Sequence, residues 1–211
     1  MRADGRVGGW AVKAVLIGLG LTAHPPNRLA AQVSFHVSAG PRYTTTMVHD
    51  SIVSPFDLRP AIAPALLLSV RDELSPGWSA DVTLDLTHAG LRRYETTGTF
   101  DAGSFTAIAF TVGLRHLVKP HVTARVAAGG LKYAADQSGV FRQGNGGLFP
   151  VAALGVAYDI KRFEIDARYD VHRFSTPALR SVGFTDARPV HRFTVTVSAR
   201  VLGGTRGERT P

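Results

Sequence analysis
The chain of 211 residues contains no cysteine, so disulfide frameworks and cysteine-ligated metals are excluded. Charge is also scarce: Asp, Glu, Lys and Arg together make up 19 %. Nowhere do about 18 apolar residues follow one another, so the sequence offers no transmembrane helix. The eight histidines include no His-Glu-x-x-His, and His116 and His121 flank a turn instead of sharing a helix face. Gly144-Asn145-Gly146-Gly147 lacks the lysine and helix of a phosphate-binding loop and reads as a loop tip. Nothing calls for a cofactor, a metal or a nucleic acid.

Of the positive charges, several gather at the start. Arg2, Arg6 and Lys13 precede the uncharged run Ala14 to Ala23, and Leu29-Ala30-Ala31 ends in small residues before Gln32. Basic, then apolar, then small is the order of a secretory signal peptide, which predicts export and a cut after Ala31. A helix is expected near residues 10–22, outside the fold. The formal charge of +8 falls when residues 1–31 are removed, leaving 20 basic and 15 acidic residues. A mild excess of that kind suits anionic lipid head groups.

What the rest of the chain has in quantity is alternation. From Arg192 to Leu202 the odd positions Phe193, Val195, Val197, Ala199 and Val201 are apolar, and the even positions Arg192, Thr194, Thr196, Ser198 and Arg200 are polar. A period of two marks a β-strand with unlike faces. Seven further stretches repeat it: 33–47, 61–71, 78–88, 105–117, 122–128, 148–160 and 163–171. The cleanest sets Trp78, Ala80, Val82, Leu84 and Leu86 against Ser79, Asp81, Thr83, Asp85 and Thr87. Pro41, Pro64 and Pro150 fall inside these stretches and mark bulges or strand starts, since each removes a ladder donor.

The connections alternate as well. Asp72–Gly77, Val118–His121 and Lys161–Arg162 are short, whereas His49–Arg59, Ala89–Ser104, Ala134–Gly147 and Ser175–Val190 are long and rich in turn residues. In an up-and-down barrel this places the short turns at one end and four long loops at the other.

One face of each strand carries Ala, Gly, Ser, Thr and a few long charged residues; the other carries Trp, Phe, Tyr, Leu, Ile and Val. The interior of an eight-stranded barrel is just wide enough for side chains to fill. The small, polar set therefore belongs in the lumen and the bulky apolar set outside, facing lipid. Tyr43, Trp78, Tyr158, Phe163 and Phe193, near strand ends, suit interfacial girdles. A soluble, lipocalin-like ligand-binding barrel would need the opposite facing.

Across residues 33–202 this pattern resembles the small eight-stranded outer-membrane barrels of Gram-negative bacteria, of the OmpA-transmembrane-domain or OmpX type. The resemblance implies an all-β, antiparallel, up-and-down transmembrane barrel in the outer membrane, inserted as a monomer by the barrel-assembly machinery and in contact with lipids and lipopolysaccharide. The expected organisation is a signal peptide over 1–31, a barrel over 32–202 and a polar tail over 203–211. Unlike the usual member, the closing strand ends at Val201-Leu202 and not at an aromatic residue.

The candidate site is the charge on the lumen face. Glu164, Asp166, Arg168 and Asp170 alternate on one strand, Arg192 and Arg200 on the next, and Arg71, Asp81, Asp85 and Arg115 on three consecutive others. Buried charges require partners, so these ten residues are expected to form a structural ion-pair network. Carboxylates near His172 could also do acid–base work, and a lipid A-modifying hydrolase is the rival reading. That chemistry needs a nucleophile and a base in mutual reach, whereas His172 and Ser175 are three apart and point to opposite faces. Arg92, Arg93, Arg142, Arg180 and Arg188 lie in the long loops, where lipopolysaccharide phosphates could meet them. The expected function is non-catalytic: structural, adhesive or protective, carried by the four loops.

Overall fold
A computed structural model describes residues 33–50, 55–135, 139–184 and 186–203. The expected signal peptide and most of the C-terminal tail lie outside the described residues. Ten strands form: β1 (Ser34–Thr44), β2 (Val48–Asp50), β3 (Phe56–Pro60), β4 (Ala63–Ser75), β5 (Trp78–Glu95), β6 (Gly98–Lys119), β7 (Val122–Ala135), β8 (Phe149–Ile160), β9 (Phe163–Phe174) and β10 (Arg188–Gly203). Eight of them, all but β2 and β3, close into an antiparallel ring: β1 pairs with β10, and β5 with β6.

Burial along each strand decides the facing. On β9, Glu164, Asp166, Arg168, Asp170 and His172 are buried while Phe163 and Ile165 are exposed; on β10, Arg192, Thr194, Thr196 and Ser198 are buried while Phe193, Val195 and Val197 are exposed. Exposed apolar residues run round the whole circumference: Phe35, Leu68, Trp78, Phe110, Val126, Leu154, Ile165 and Val195 come from eight different strands. Water would penalise such a surface heavily, and only lipid accommodates it, since a closed ring leaves no backbone edge unpaired. A soluble lipocalin-like barrel is thereby overturned. The chain is an eight-stranded transmembrane β-barrel of the outer membrane.

Three tight turns join β4 to β5, β6 to β7 and β8 to β9, each with a residue at positive φ: Gly77, His121 and Lys161. The opposite end departs from expectation. Ala89–Ser104 is no irregular loop: β5 and β6 stay paired up to Glu95↔Gly98, with one shift of register between Gly90 and Arg92 and a two-residue turn at Thr96-Thr97. The segment 45–62 contains the short β2–β3 hairpin, whose β3 pairs with β5. Strands β2, β3, β5 and β6 thus continue as a sheet beyond the ring, because β7 pairs with β6 only from Phe105↔Ala135 downward. At about 3.3 Å per residue, the 18 residues of β5 run to about 60 Å, more than a tilted crossing of an apolar band about 25 Å tall requires.

The prolines sit where they do least harm. Pro64 and Pro150 are the second residues of their strands and face outward. Pro41 lies opposite Pro64, where pairing between β1 and β10 skips from Ala39↔Val197 to Arg42↔Thr194. Next to it, a Cβ on Gly40 would fall 1.9 Å from the Val195 carbonyl oxygen, so only glycine allows β10 to pass there.

Facing can be tested at neighbouring positions of β6. Val112, 53 % exposed and near mid-height, should cost about 2–4 kcal/mol when changed to Arg, whereas Thr111→Ser, buried in the lumen and keeping its hydroxyl, should cost little. Unfolding in lipid vesicles measures both; equal losses would reverse the facing.

Candidate functional site
The lumen has two levels. The level toward the tight turns is charged. Arg42 on β1 grips Asp85 on β5 with two hydrogen bonds of 2.7 Å, and it also donates to Thr194 and Thr87. To get there it crosses β4, whose inward residues Ala63 and Ala65 are small enough to let it pass. Asp85 in turn lies 3.6 Å from Arg192, which reaches Asp170 at 3.1 Å; Asp170 also accepts from Arg168 at 2.5 Å.

A second set braces the barrel lower down. Glu164 on β9 accepts two bonds from Arg71 on β4, at 2.9 and 2.7 Å, and one from Arg115 on β6 at 2.7 Å. In ring order β4 and β6 flank β5, the strand diametrically opposite β9, so one carboxylate ties both far walls together. Asp166 is 3.8 Å from Arg115. Arg125 on β7 reaches over β6 to Asp81 on β5 at 2.7 Å. The β6 residue in between is Gly113, where a Cβ would stand 2.6 Å from the Asp81 carboxylate. The small residues of the lumen face are therefore the passages through which long side chains reach each other.

Nine of the ten residues read as a network from the sequence take part in these contacts. The tenth, Arg200, follows the inward parity of β10 but is exposed, because the strand is leaving the lumen at that height. Arg42 and Arg125 are central too, and alternation does not single them out. It puts both on the lumen face, but their carboxylates lie two strands away, a relation visible only once register is known.

The level toward the long segments is apolar, which alternation alone does not reveal. Phe105, Leu131, Tyr133, Phe149, Val151, Phe174 and Val190 from the wall pack with Met47, Val48, Phe141 and Leu179 from the connecting segments. Tyr133 is ringed by Phe105, Phe149 and Phe174 with ring centroids 5.3–5.7 Å away, and its hydroxyl lies 2.7 Å from His172 Nε2. Two connecting segments are locked over this layer: Thr176 caps the short helix Pro177–Ser181 by accepting from the Leu179 amide, and its hydroxyl donates to the Val140 carbonyl. The lumen is thus filled at both levels. Two voids along it measure about 10 and 20 Å³, each room for about one water.

His172, the candidate base, is enclosed here and bonded to Tyr133, while Ser175 meets Arg180 at 3.4 Å; the structure does not bring the two together. Among the described residues no group of three or more His, Asp or Glu is placed to hold a metal ion.

Beyond the ring, the four-stranded extension has its own packing. Arg59 lies over Tyr94 at 4.6 Å and Arg93 over Phe56 at 4.4 Å. Asp57 meets His49 at 2.7 Å and Arg59 at 2.9 Å.

No family model matches the chain, and no curated protein matches it. Solved structures similar to it include small outer-membrane barrels. The crystal structure of Ail, the attachment invasion locus protein of Yersinia pestis, shares 13 % identity, with 82 % of this chain and 100 % of that one covered at a TM-score of 0.46. Neisserial surface protein A shares 13 % over 80 % of this chain and 97 % of its own, at 0.44. OprG of Pseudomonas aeruginosa shares 8 % over 81 % and 96 %, at 0.45. The barrel itself stands on its closed ring and its facing, independently of these likenesses.

Two predictions arise here. Asp85→Ala strands Arg42, whose side chain is 1 % exposed, and should destabilise the barrel by about 3–5 kcal/mol. Pairing it with Arg42→Met should cost far less than the two single changes together, as a double-mutant cycle of unfolding in detergent would show. Outside the membrane, the His49 hydrogen bond, with help from Arg59, holds the Asp57 carboxyl below the usual carboxylate range. A lowered folded pKa contributes stability that is present above the unfolded value and lost as pH falls. Amide protection in β2 and β3, taken relative to the intrinsic exchange rate at each pH, should therefore fall below about pH 4.

Proposed function
We propose that the protein is a non-conducting, non-catalytic outer-membrane barrel whose adhesive or protective role is carried by its outer end. The observation supporting this is the filled lumen. A charged level and an aromatic level occupy it in series, and connecting segments cover its mouth. Among the described residues no open passage runs through the ring, and accessible polar chemistry lies in the extension β2–β3–β5–β6 and the segments beside it. Arg92, Arg142, Arg173, Arg180 and Arg188 are exposed there, and the phosphates of lipopolysaccharide are the partner that such guanidinium groups fit.

The test has two arms. In planar bilayers the purified protein should give no steady conductance; a stable open channel would overturn the reading. In nanodiscs it should bind lipopolysaccharide vesicles. A variant with residues 92–101 removed and Arg173, Arg180 and Arg188 changed to Gln should keep its fold and bind at least about tenfold more weakly, since each charge-assisted hydrogen bond removed is worth about 1.5–3 kcal/mol. Unchanged binding would remove the loops from the role.

A further inference from the structure
We infer that the lumen holds one monatomic monovalent anion, of the halide class, bound between Arg168, Arg125 and Arg71. All three line the 20 Å³ void in the charged level. Arg168 gives its Nε to Asp170, and its two terminal nitrogens are buried without a hydrogen-bond partner among the described residues. Arg125 gives Nε and Nη2 to Asp81, Thr83 and Thr111, which leaves Nη1 without one. Arg71 gives both terminal nitrogens to Glu164, which leaves Nε. The Arg168 side chain, which lines the void, is only 2 % exposed, so bulk water does not reach its terminal nitrogens.

The chemistry of this lining separates an anion from a water. A water accepts about two hydrogen bonds and must donate about two more. Here four guanidinium nitrogens are donors without an acceptor of their own, and the other polar groups on the wall include the Asp81 and Asp166 carboxylates and the hydroxyls of Ser38, Ser69, Thr83 and Thr196. The oxygens of Asp81 already accept from Arg125 and Thr83. Asp166 is the one nearby carboxylate whose nearest ion pair, with Arg115, is as long as 3.8 Å. A halide accepts from every donor and requires no acceptor in return. Charge agrees. The lumen network sets six arginines (Arg42, Arg71, Arg115, Arg125, Arg168, Arg192) against five carboxylates (Asp81, Asp85, Glu164, Asp166, Asp170), a surplus of one that burial makes costly. One monovalent anion cancels it. The void has room for about one water-sized body, which suits a single monatomic ion.

The test uses the folded barrel in detergent, with bromide and chloride as probes. Crystals grown in sodium bromide should show an anomalous peak within about 3.5 Å of the Arg168 terminal nitrogens. At constant ionic strength, replacing gluconate by chloride should raise the unfolding midpoint by about 3–6 °C per tenfold chloride once the site is occupied. Arg168→Met should abolish that dependence. Should that variant not fold, the two wild-type measurements decide alone. A cavity without a bromide peak, or equal midpoints in the two salts, overturns the inference.

Discussion
An eight-stranded ring encloses too little space for bulk water and too much charge for a plain apolar core. Its interior must therefore be solid, and each ion inside it must have a counter-ion in contact. This constraint explains the composition of the inward face. Ala63, Ala65 and Gly113 are small because Arg42 and Arg125 pass over them to Asp85 and Asp81. The threonines at 83, 87, 111 and 194 accept the guanidinium hydrogens that the carboxylates leave over. Replacing one charge disturbs a chain of others, because Asp85, Arg192, Asp170 and Arg168 lie end to end.

The aromatic level solves the same filling problem differently. Near the outer mouth the wall strands are joined by connecting segments that bring their own side chains inward, so apolar residues can meet from several directions around Tyr133. The charged level ties wall to wall; the aromatic level ties wall to lid. Together they leave the outer surface as the part of the molecule that is free to interact.

Much of this was legible in the sequence, since a period of two survives whatever the strand packs against. Alternation gives the face of each residue but neither its height nor its partner. Arg200 shares the parity of Arg192 and yet is exposed, for it stands at the end of the strand. Arg42 and Arg125 lie on the expected face, but their carboxylates become identifiable only through register. Ala89–Ser104 reads as a loop because Gly, Thr and Arg weaken the pattern; hydrogen bonding to β3 and across the hairpin keeps it extended regardless of propensity. Phe141 and Leu179 lie outside any periodic stretch, so no pattern could place them in the lumen.

The pairing of β1 with β10 joins residues such as Val37 and Ala199, from the two ends of the barrel sequence. Every other seam of the ring can zip from a neighbouring strand; this one must wait until the whole chain is present. Until then two strands, each with a bulky apolar face, offer open backbone edges. The last bond-forming event in this protein's assembly is thus also the one that removes its means of sticking to other copies. The order of synthesis, in which the partner of the first strand emerges late, makes the unfinished ring and not the finished one the state that exposes those edges.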